Sequence, residues 1–343
     1  MTVRRARGAG SPLFPEARPA GDPLNEDVLG SRTFVIFNPA AGRGRGARRI
    51  GAYRELLLHH LPGAEIRLSE YAGHEAVLAD EALARGFTRL VAVGGDGTWS
   101  HVADRILASG QRHVALGLLP SGTGNDFGRN LGLSFSDPSG AVERLVHGDP
   151  VSVDVGRIHT PSRPVSSGNR GVGEPAPRHF LNVVGVGFDV AVVEAASSAR
   201  FLKGETLYKV TALQQLFRFR GLPVALREGD AGAAPRRHLV VTVTNGAYFG
   251  GGFPITPDAR IDDGLLHACV IEDASPWRRM LLFAWAQRGR HVHAPEVQLR
   301  TGPRYTLSFD GPVRFEADGD LFDTDSRELS LEVLPRALTV VGP

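Results

Sequence analysis

Two glycine-rich segments carry the residue types that bind phosphate. Residues 94–98 read Gly-Gly-Asp-Gly-Thr, and residues 120–127 read Pro-Ser-Gly-Thr-Gly-Asn-Asp-Phe. Each follows directly on a short apolar run, at 90–93 and 114–119, and each precedes a predicted helix. A glycine-rich turn between a buried strand and a helix presents backbone N–H groups and the positive end of the helix dipole, which together bind anions. The pattern predicts a phosphate site.

Both segments also contain an Asp and a Thr, which favours a polyphosphate bound with a metal ion. Asp96 lies in a turn of three glycines, where the backbone can approach a ligand closely. A carboxylate near polyphosphate is repelled unless a cation lies between them, so Asp96 implies Mg²⁺. The alternative is a helix N-cap at Asp96 or Thr98 with no ligand. Because residues 122–126 repeat the pattern one strand away, we favour phosphate binding by a nucleotide-dependent phosphotransferase.

The composition narrows the classes of function. The chain has 343 residues and a formal net charge of +2, which fits two domains and implies no nucleic-acid partner. Its only lysines, Lys203 and Lys209, are distant in sequence from both glycine-rich segments, which excludes a Walker-type lysine. The single cysteine, Cys269, excludes an internal disulfide and fits a cytoplasmic setting. Residues 1–30 lack the apolar core of a signal peptide and are expected to be a disordered leader.

Strands and helices are expected to alternate through residues 31–150. The predicted strands cover 34–37, 65–69, 90–93 and 114–119, and the predicted helices cover 50–61, 74–85, 99–106 and a segment from about 123. This alternation predicts a doubly wound parallel sheet that forms a nucleotide-binding domain. Both glycine-rich segments would then lie at the carboxyl ends of strands, where such sheets bind ligands.

The second half, residues 151–343, is expected to be a mainly antiparallel β-sandwich. The predicted strands are 151–155, 222–227, 238–244, 265–271, 304–309, 313–316, 329–334 and 338–341, with a helix over 206–219. Residues 160–178 are rich in Pro, Gly, Ser and Arg and are expected to be a surface insertion. We place the domain boundary near residue 150, expect the last strand to return to the first domain, and expect the active site in the cleft between domains.

A third glycine-rich segment follows the first strand. Residues 42–47 match the G-x-G-x-x-A fingerprint of dinucleotide-binding folds. The acidic residue that this fingerprint needs is missing at the usual distance, since the second strand ends at Ser69-Glu70, further along the chain. We therefore interpret Asn38 as a polar group at a strand end, with the arginine-rich segment near phosphate, and a dehydrogenase is the least favoured reading.

Two acidic turns occur in the second half. Residues 257–265 contain three Asp, and residues 316–320 contain Glu316, Asp318 and Asp320. Clustered carboxylates repel one another unless they are hydrated or bridged by a cation, and a solvated turn is the simpler interpretation of each. The second turn also offers the general base that a phosphoryl acceptor needs.

Taken together, these motifs resemble the diacylglycerol kinase catalytic-domain family, which includes bacterial lipid kinases, sphingosine kinases and ceramide kinases. The resemblance covers nearly everything from Thr33 onward except the insertion at 160–178. It rests on 38–44, 94–98 and 122–127, with further matches at 181–182, 185, 187–189, 245, 250–252, 257, 259 and 263–266. It implies that the first domain binds ATP and that a lipid lies in the cleft between the domains.

The resemblance also implies individual roles. The candidate nucleotide-binding residues are Asn38, Ser69, Gly94, Gly95, Asp96, Gly97, Thr98, Gly122, Thr123, Asn125 and Asp126. The family's metal site would use the Asp263 carboxylate with the main-chain oxygens of Arg260 and Leu265. The family's Asp-Gly-Glu base motif falls on residues 318–320, which makes Asp320 the base and, with Asp96, the catalytic pair. Two positions depart from the family: Asp320 is one methylene shorter than the family's Glu, and His101 stands where many members have Glu.

The predicted activity is that of an ATP- and Mg²⁺-dependent lipid kinase that phosphorylates a primary hydroxyl. The favoured lipid is diacylglycerol, which would give phosphatidic acid. One alternative is a soluble-substrate kinase of the NAD kinase type, whose family shares the Gly-Gly-Asp-Gly-Thr segment. Another is a nucleotide- or lipid-binding regulator that has lost its base. The expected partners are a lipid at the membrane surface, reached by peripheral contact on the inner face, and a second copy of the chain in a homodimer.

Overall fold

The computed structural model describes residues 32–133, 136–166, 169–170, 176–198, 214–228 and 235–341, so the predicted leader lies outside it. The helices are α1 (Ala41–His60), α2 (His74–Ala84), α3 (Asp96–Ala108), α4 (Asp126–Asn130), α5 (Pro138–His147), α6 (Phe188–Ser198) and α7 (Pro276–Ala286), with a 3₁₀ turn at Arg290–His293. The strands are β1 (Thr33–Phe37), β2 (Glu65–Leu68), β3 (Arg89–Gly94), β4 (Ala115–Pro120), β5 (Val151–Ser166), β6 (Asn169–Arg170), β7 (Ala176–Phe180), β8 (Val183–Gly187), β9 (Leu222–Arg227), β10 (Arg236–Thr244), β11 (Tyr248–Phe249), β12 (Phe253–Pro254), β13 (Leu266–Glu272), β14 (Val297–Gly302), β15 (Arg304–Ser308), β16 (Val313–Ala317), β17 (Asp320–Thr324) and β18 (Glu328–Val341).

The first half is built on a parallel sheet in the order β2-β1-β3-β4. Side chains alternate along a strand, so Phe34 and Ile36 of β1 pack in one core with residues of α2 and α3. Val35 and Phe37 point the other way, into a second core with residues of α1 and α5. Because helices cover both faces of this sheet, the predicted doubly wound architecture is confirmed.

Antiparallel pairing dominates the second half, as predicted. Strands β8, β9 and β13 all pair antiparallel with β10, and β16 pairs with both β17 and β8. Side chains of the second half, among them Phe180 of β7, Tyr305 of β15 and Phe315 of β16, form one buried core. The last strand, β18, runs antiparallel to β5 and also pairs in parallel with β4 of the first half. A domain boundary near residue 150 stays a prediction.

Two segments that we expected to be loops or separate strands form continuous strands. Residues 160–166 and 176–178, inside the predicted insertion, belong to β5 and β7, which pair with each other. Residues 160–166 have a low intrinsic preference for strand, but Pro164 pairs with Phe322 in β17, and this pairing extends β5. The strands predicted at 329–334 and 338–341 are one strand, β18, whose register shifts between Leu334 and Leu338.

The helices of the second half were underestimated. Helices α6 and α7 lie among the strands, in addition to the helix predicted over 206–219. The helix predicted from about 123 begins at Asp126, since Asn125 has a left-handed backbone with φ of 52°. Of the helix predicted over 206–219, residues 214–218 are helical and residues 206–213 lie outside the described part. None of the helices within the described residues is long and apolar enough to cross a membrane.

A fully buried carboxylate, Asp154 of β5, holds three segments of the second half together. Its Oδ2 accepts a hydrogen bond from the Gly264 N–H at 2.6 Å, and its Oδ1 accepts one from the Arg336 N–H at 2.7 Å. Arg336 lies at the register shift of β18 with φ of 49°, so Asp154 satisfies an N–H that the ladder leaves free there. Its carbonyl oxygen also accepts a hydrogen bond from the Asn245 side chain at 2.8 Å.

Replacing Asp154 with Ala should therefore lower the free energy of unfolding by roughly 2–4 kcal/mol, because the Gly264 and Arg336 N–H groups would lose their buried carboxylate acceptor. Chemical denaturation of the full chain measures this. Asp258→Ala, at an exposed position in the neighbouring acidic turn, is the control and should change the value by less than about 0.5 kcal/mol. Equal unfolding midpoints for the two variants would contradict the role assigned to Asp154.

Candidate active site

The two glycine-rich segments lie in direct contact at the carboxyl edge of the parallel sheet. Strands β3 and β4 are neighbours, so the loops that follow them meet there. The N–H groups of Ser121 and Gly122 donate to the carbonyl oxygen of Gly94 at 2.7 and 3.1 Å. A methyl group built on Gly122 would lie 2.6 Å from the Cα of Gly95, too close for any side chain. The contact thus requires glycine and leaves two runs of backbone N–H groups side by side.

The first turn of α3 is free of side-chain caps. Its N-cap residue is Gly95, and no side chain of the described residues caps the helix. The alternative interpretation of Asp96 or Thr98 as N-cap is therefore wrong. Thr98 is buried, and its hydroxyl accepts a hydrogen bond from the Nδ2 of Asn38 at 2.9 Å. Asn38 follows β1, so this bond ties a third strand end to the loops.

Asp96 reaches across to the second loop. Its Oδ1 accepts a hydrogen bond from the Phe127 N–H at 2.9 Å, and its Oδ2 lies 3.1 Å from where a Cβ on Gly124 would stand. Desolvation and the neighbouring Asp126 carboxylate raise the pKa of Asp96 to about 7. Desolvation also raises the pKa of Asp126. Two adjacent carboxyls whose charged forms are disfavoured make a good environment for a cation.

The remaining candidates from the second loop differ in exposure. Asn125 is buried, and its Nδ2 donates to the carbonyl oxygen of Gly122 at 3.1 Å, while its Oδ1 has no hydrogen-bond partner among the described residues. Thr123 is exposed at the loop tip. Ser69 follows β2, which is the edge strand, and lies buried with its N–H donating to the Phe37 carbonyl oxygen at 2.7 Å. The structure thus groups Asn38 with the two loops and places Ser69 at the margin of the same edge.

The acidic hairpin from the second half reaches the first loop. Strands β16 and β17 are joined by a two-residue turn, Asp318-Gly319, with φ values of 48° and 96°. Positive φ at both positions is typical of type I′ hairpins, which favour Asp-Gly. The Asp318 carboxylate accepts hydrogen bonds from three consecutive main-chain N–H groups, those of Leu181, Asn182 and Val183, at 2.6–3.0 Å. Asp318 therefore fixes the hairpin rather than facing a ligand.

Asp320 is the residue that this hairpin delivers to the site. Its Oδ2 lies 3.2 Å from where a Cβ on Gly97 would stand, so the carboxylate sits over the first turn of α3. The same oxygen is 2.9 Å from Nε2 of His101, and the Asp320 side chain remains 43% exposed. Desolvation acts to raise the pKa of Asp320, but the hydrogen bond and charge of His101 outweigh it and hold that pKa below its usual range. An ionised, accessible carboxylate beside the glycine-rich loop can accept a proton.

The acidic turn with Asp263 has a different environment. Its Oδ1 accepts a hydrogen bond from the Leu265 N–H, and its Oδ2 is paired with Nε2 of His267, both at 2.9 Å. Arg260 directs its guanidinium to Asp262. In the described ranges no cluster of three or more His, Cys, Asp or Glu side chains could hold a metal ion. A cation here would depend on main-chain oxygens, and this metal site stays a prediction.

Several contacts that sequence reasoning missed attach the second half to the second loop. Asn130 of α4 accepts a hydrogen bond from the Ala247 N–H at 2.9 Å and donates to Oδ1 of Asn182 at 3.1 Å. The Asp126 Oδ2 accepts one from the Gly251 N–H at 2.8 Å. The sequence analysis included residues 181–182 and 250–252 among the family motifs. It did not predict these contacts, because Asn182 and Gly251 bind residues that lie more than 50 positions away in the chain.

A buried acid pair behind the hairpin was also missed. Asp189 and Glu316 are 6% and 3% exposed, and a Cβ built on Gly185 would contact the carboxyl groups of both. Burial raises the pKa of Asp189 to about 7, and burial together with the Asp189 charge raises the pKa of Glu316. The two groups hold at least one proton between them near neutral pH.

The residues present fit a nucleotide and a cation. The contacting glycines open a backbone cradle, and the buried Asn125 Oδ1 and Ser121 Oγ lack partners among the described residues. Asp96 and Asp126 supply carboxyl oxygens, the ligands that Mg²⁺ prefers. The chemistry of the donor set therefore matches ATP with a divalent cation at Asp96.

Comparison with known proteins gives the family. Residues 32–158 match the model of the diacylglycerol kinase catalytic domain, and residues 182–342 match that of the YegS C-terminal NAD kinase beta sandwich-like domain. A diacylglycerol kinase of Mycobacterium tuberculosis H37Rv is 29% identical over 93% of this chain and 97% of its own. A diacylglycerol kinase of Staphylococcus epidermidis RP62A is 27% identical over 84% of this chain and 85% of its own.

The fold has relatives among solved structures. The crystal structure of a diacylglycerol kinase from Bacillus anthracis covers 91% of this chain and 97% of its own, with a TM-score of 0.62 at 19% sequence identity. At that identity the likeness concerns the fold. The two matched models together run from the first strand to the last, and the relatives in M. tuberculosis and S. epidermidis align over most of their length. Residues 32–158 are therefore a diacylglycerol kinase catalytic domain, residues 182–342 are a YegS C-terminal NAD kinase beta sandwich-like domain, and the chain is a kinase, that is, a phosphotransferase.

Proposed function

We propose that the protein transfers the γ-phosphoryl group of ATP to the primary hydroxyl of a lipid, diacylglycerol first, to give phosphatidic acid. The observation that carries this proposal is the position of Asp320, whose Oδ2 lies 3.2 Å from the Cβ position of Gly97. It brings a proton acceptor from the second half to the loop that would hold the phosphates. The relatives named diacylglycerol kinase support the choice of acceptor.

The roles of the residues follow from their environments. The N–H groups of the two loops and the uncapped first turn of α3 would hold the phosphates. Asp96 would hold Mg²⁺, which offsets the charge of the phosphates and of the transferring group. Asp320 would accept the proton of the lipid hydroxyl. At the same time the hydroxyl oxygen would bond to the γ-phosphorus, and the bond between the γ-phosphorus and the leaving ADP oxygen would break. Positioning and charge stabilisation dominate phosphoryl transfer, and both can come from these rigid loops.

Asp320→Asn should lower kcat by about 10²–10⁴-fold, the usual contribution of a general base, and Asp96→Asn should abolish turnover. Transfer of labelled phosphate from ATP with Mg²⁺ to micellar diacylglycerol, sphingosine and ceramide, with NAD run alongside, measures this. Asp310→Asn, at an exposed carboxylate outside the site, is the control. Wild-type rates in the Asp96 variant would refute the proposal, and transfer to NAD alone would replace the lipid with a soluble acceptor.

The backbone contact between the loops gives a second test. In Gly122→Ala the new methyl group would stand 2.6 Å from both the Gly95 Cα and the Asn125 Oδ1, so the loops must separate. ATP affinity should fall at least about tenfold, because the N–H groups lose their alignment. Isothermal titration with ATP and Mg²⁺ measures this. Gly63→Ala is the matched control, since a Cβ there meets no atom within 4 Å; equal affinities in the two variants would contradict a phosphate cradle at Gly122.

An exposed apolar face fits contact with the lipid surface. Trp277, Leu281 and Ala284 lie at i, i+4 and i+7 on α7, and Trp277 is 75% exposed. The ring of Phe217 stands 6.0 Å from that of Trp277, and the exposed Arg218 follows it. We call Phe217, Trp277, Leu281 and Ala284 the Trp277 face. An apolar face with an adjacent arginine matches a bilayer with anionic headgroups.

The Trp277 face is also connected to the proposed site. Phe283 of α7 packs on Phe253 with ring centroids 5.2 Å apart. Phe253 ends the loop whose Gly251 N–H binds Asp126. Contact of α7 with a bilayer would thus bring the second glycine-rich loop toward the lipid. The cytoplasmic location and the homodimer stay predictions.

Leu281→Ser and Trp277→Ser should each weaken binding to phosphatidylglycerol vesicles by about tenfold, because each removes an apolar side chain from the bilayer contact. Cosedimentation with vesicles measures the affinity. Leu299→Ser is the matched control, since Leu299 on β14 is 43% exposed and Leu281 is 40% exposed. Equal binding of all three variants and the wild type would place membrane contact elsewhere.

A further inference from the structure

His101 lies between two carboxylates from different parts of the chain. Its Nε2 is 2.9 Å from Oδ2 of Asp320 on β17, and its Nδ1 is 2.8 Å from Oε1 of Glu75 on α2. A carboxylate without a proton can only accept hydrogen bonds, so an imidazole placed between two of them donates from both nitrogens. His101 is then an imidazolium, and its ring plane is fixed at both ends.

Glu75 has the environment of a residue that serves His101. It is 4% exposed and lies in the first turn of α2. The Oε2 of Glu75 has no hydrogen-bond partner within the described part of the chain. The hydrogen bond between His101 and the Oε1 of Glu75 therefore compensates the buried charge of this carboxylate. A buried carboxylate is costly unless it is paired. This pair orients the ring from the side opposite to Asp320.

Asp320 in turn needs an external support. The hairpin turn fixes its backbone, but its side chain is short and 43% exposed, so its own packing does not fix its rotamer. His101 holds only Oδ2, which leaves the other carboxylate oxygen for a substrate proton. The carboxylate faces the first turn of α3, where the absence of a side chain at Gly97 lets it approach.

We propose that His101 is a positioning residue of the phosphoryl-transfer site: Glu75 fixes its ring, and its Nε2–H holds Asp320 ionised and aimed over Gly97. This inference rests on the proposed function, because it takes Asp320 as the acceptor of the hydroxyl proton. It gives a joint reason for the two departures from the family pattern, His101 and Asp320. The shorter carboxylate and the imidazole fill the site together.

The charges around the triad agree with this arrangement. Desolvation opposes the charge on His101, but the hydrogen bonds and charges of Asp320 and Glu75 raise its pKa to about 10. The pKa of Asp320 is lowered in return, with a further contribution from Arg178 on β7. Removing the His101 charge should therefore raise the pKa of Asp320. The acidic limb of the rate profile would move to higher pH.

The kinetic test uses His101→Ala, His101→Gln and Glu75→Gln in the full chain. We expect kcat for diacylglycerol phosphorylation to fall about 10- to 100-fold in His101→Ala and less in His101→Gln, which keeps an N–H donor. The KM for ATP should stay unchanged, and the acidic limb of kcat should shift upward in all three variants. His179→Gln is the matched control, because His179 forms a similar pair with Asp104 of α3 at 2.9 Å and does not contact Asp320. Wild-type kcat and pH profile in His101→Ala would overturn the proposal.

A spectroscopic readout separates this inference from the proposed activity. Imidazole ¹⁵N NMR of the full chain should show His101 doubly protonated at pH 8 in the wild type. It should be neutral at that pH in the Glu75→Gln, Asp320→Asn double variant, where a histidine returns toward its ordinary pKa of about 6.5. A neutral His101 at pH 8 in the wild type would overturn the inference whether or not a lipid is phosphorylated. An imidazolium in a protein that phosphorylates neither a lipid nor NAD would refute the function of Asp320, and with it the positioning role.

Discussion

Direct contact between two runs of backbone is the constraint on which this site depends. A Cβ on Gly122 would lie 2.6 Å from the Gly95 Cα, and one on Gly95 would lie 3.1 Å from the Gly122 Cα. The Gly94 carbonyl oxygen accepts hydrogen bonds from the N–H groups of both Ser121 and Gly122. The contact is possible because β3 and β4 are adjacent parallel strands, so that their carboxyl ends coincide. A side chain at Gly122 would separate the loops and disperse the N–H groups. Everything else in the site is arranged around this narrow cradle.

The second half attaches to that cradle through side chains that bind main chain. Asp126 binds the Gly251 N–H, Asn130 binds the Ala247 N–H, and Asp318 binds three N–H groups at 181–183. Each of these bonds joins segments that are more than 100 residues apart in sequence. They fix the hairpin that carries Asp320 relative to α3, together with a buried core that joins Leu181 and Ile261 of the second half to Trp99 of α3. The reach of Asp320 therefore depends on polar geometry as well as on packing, and polar geometry tolerates less variation.

Much of this arrangement was accessible from the sequence. The apolar runs before residues 94–98 and 120–127 identify the strands, and the spacing of Trp99, Val102 and Ile106 identifies the helix that follows. The antiparallel second half could be predicted from short alternating strands. What escaped prediction depends on tertiary contact: Pro164 lies in a strand because Phe322 pairs with it, and β18 continues past Pro335 because Asp154 satisfies the Arg336 N–H. The local sequence indicates only the intrinsic preference of each residue for strand, helix or turn, and these tertiary contacts override that preference.

The candidate site divides in the same way. Glycine spacing indicates the loops, since only glycine permits the approach, and so the pattern carries the physical cause. Glu75 and His101 are 26 positions apart, and no local pattern relates them. Their pairing depends on how α2 packs beside α3, which a single sequence does not specify. The resemblance stated from the sequence predicted that His101 departs from the family pattern, but only the structure shows what the imidazole contacts.

The carboxyl groups of the site show which of them can act as a base. Desolvation raises the pKa values of Asp96, Asp126 and Asp318, and each of these carboxyls is bound by main-chain N–H groups or adjoins another acid. Asp320 alone in this group has a lowered pKa, and it has a cation, His101, in contact. Environments that push neighbouring acids in opposite directions divide their roles. Of the acids with raised pKa values, Asp96 and Asp126 require a cation before they face a triphosphate, whereas Asp320 is already ionised. The roles proposed for Asp96 as metal ligand and for Asp320 as proton acceptor are therefore separated by the local electrostatics before any ligand binds.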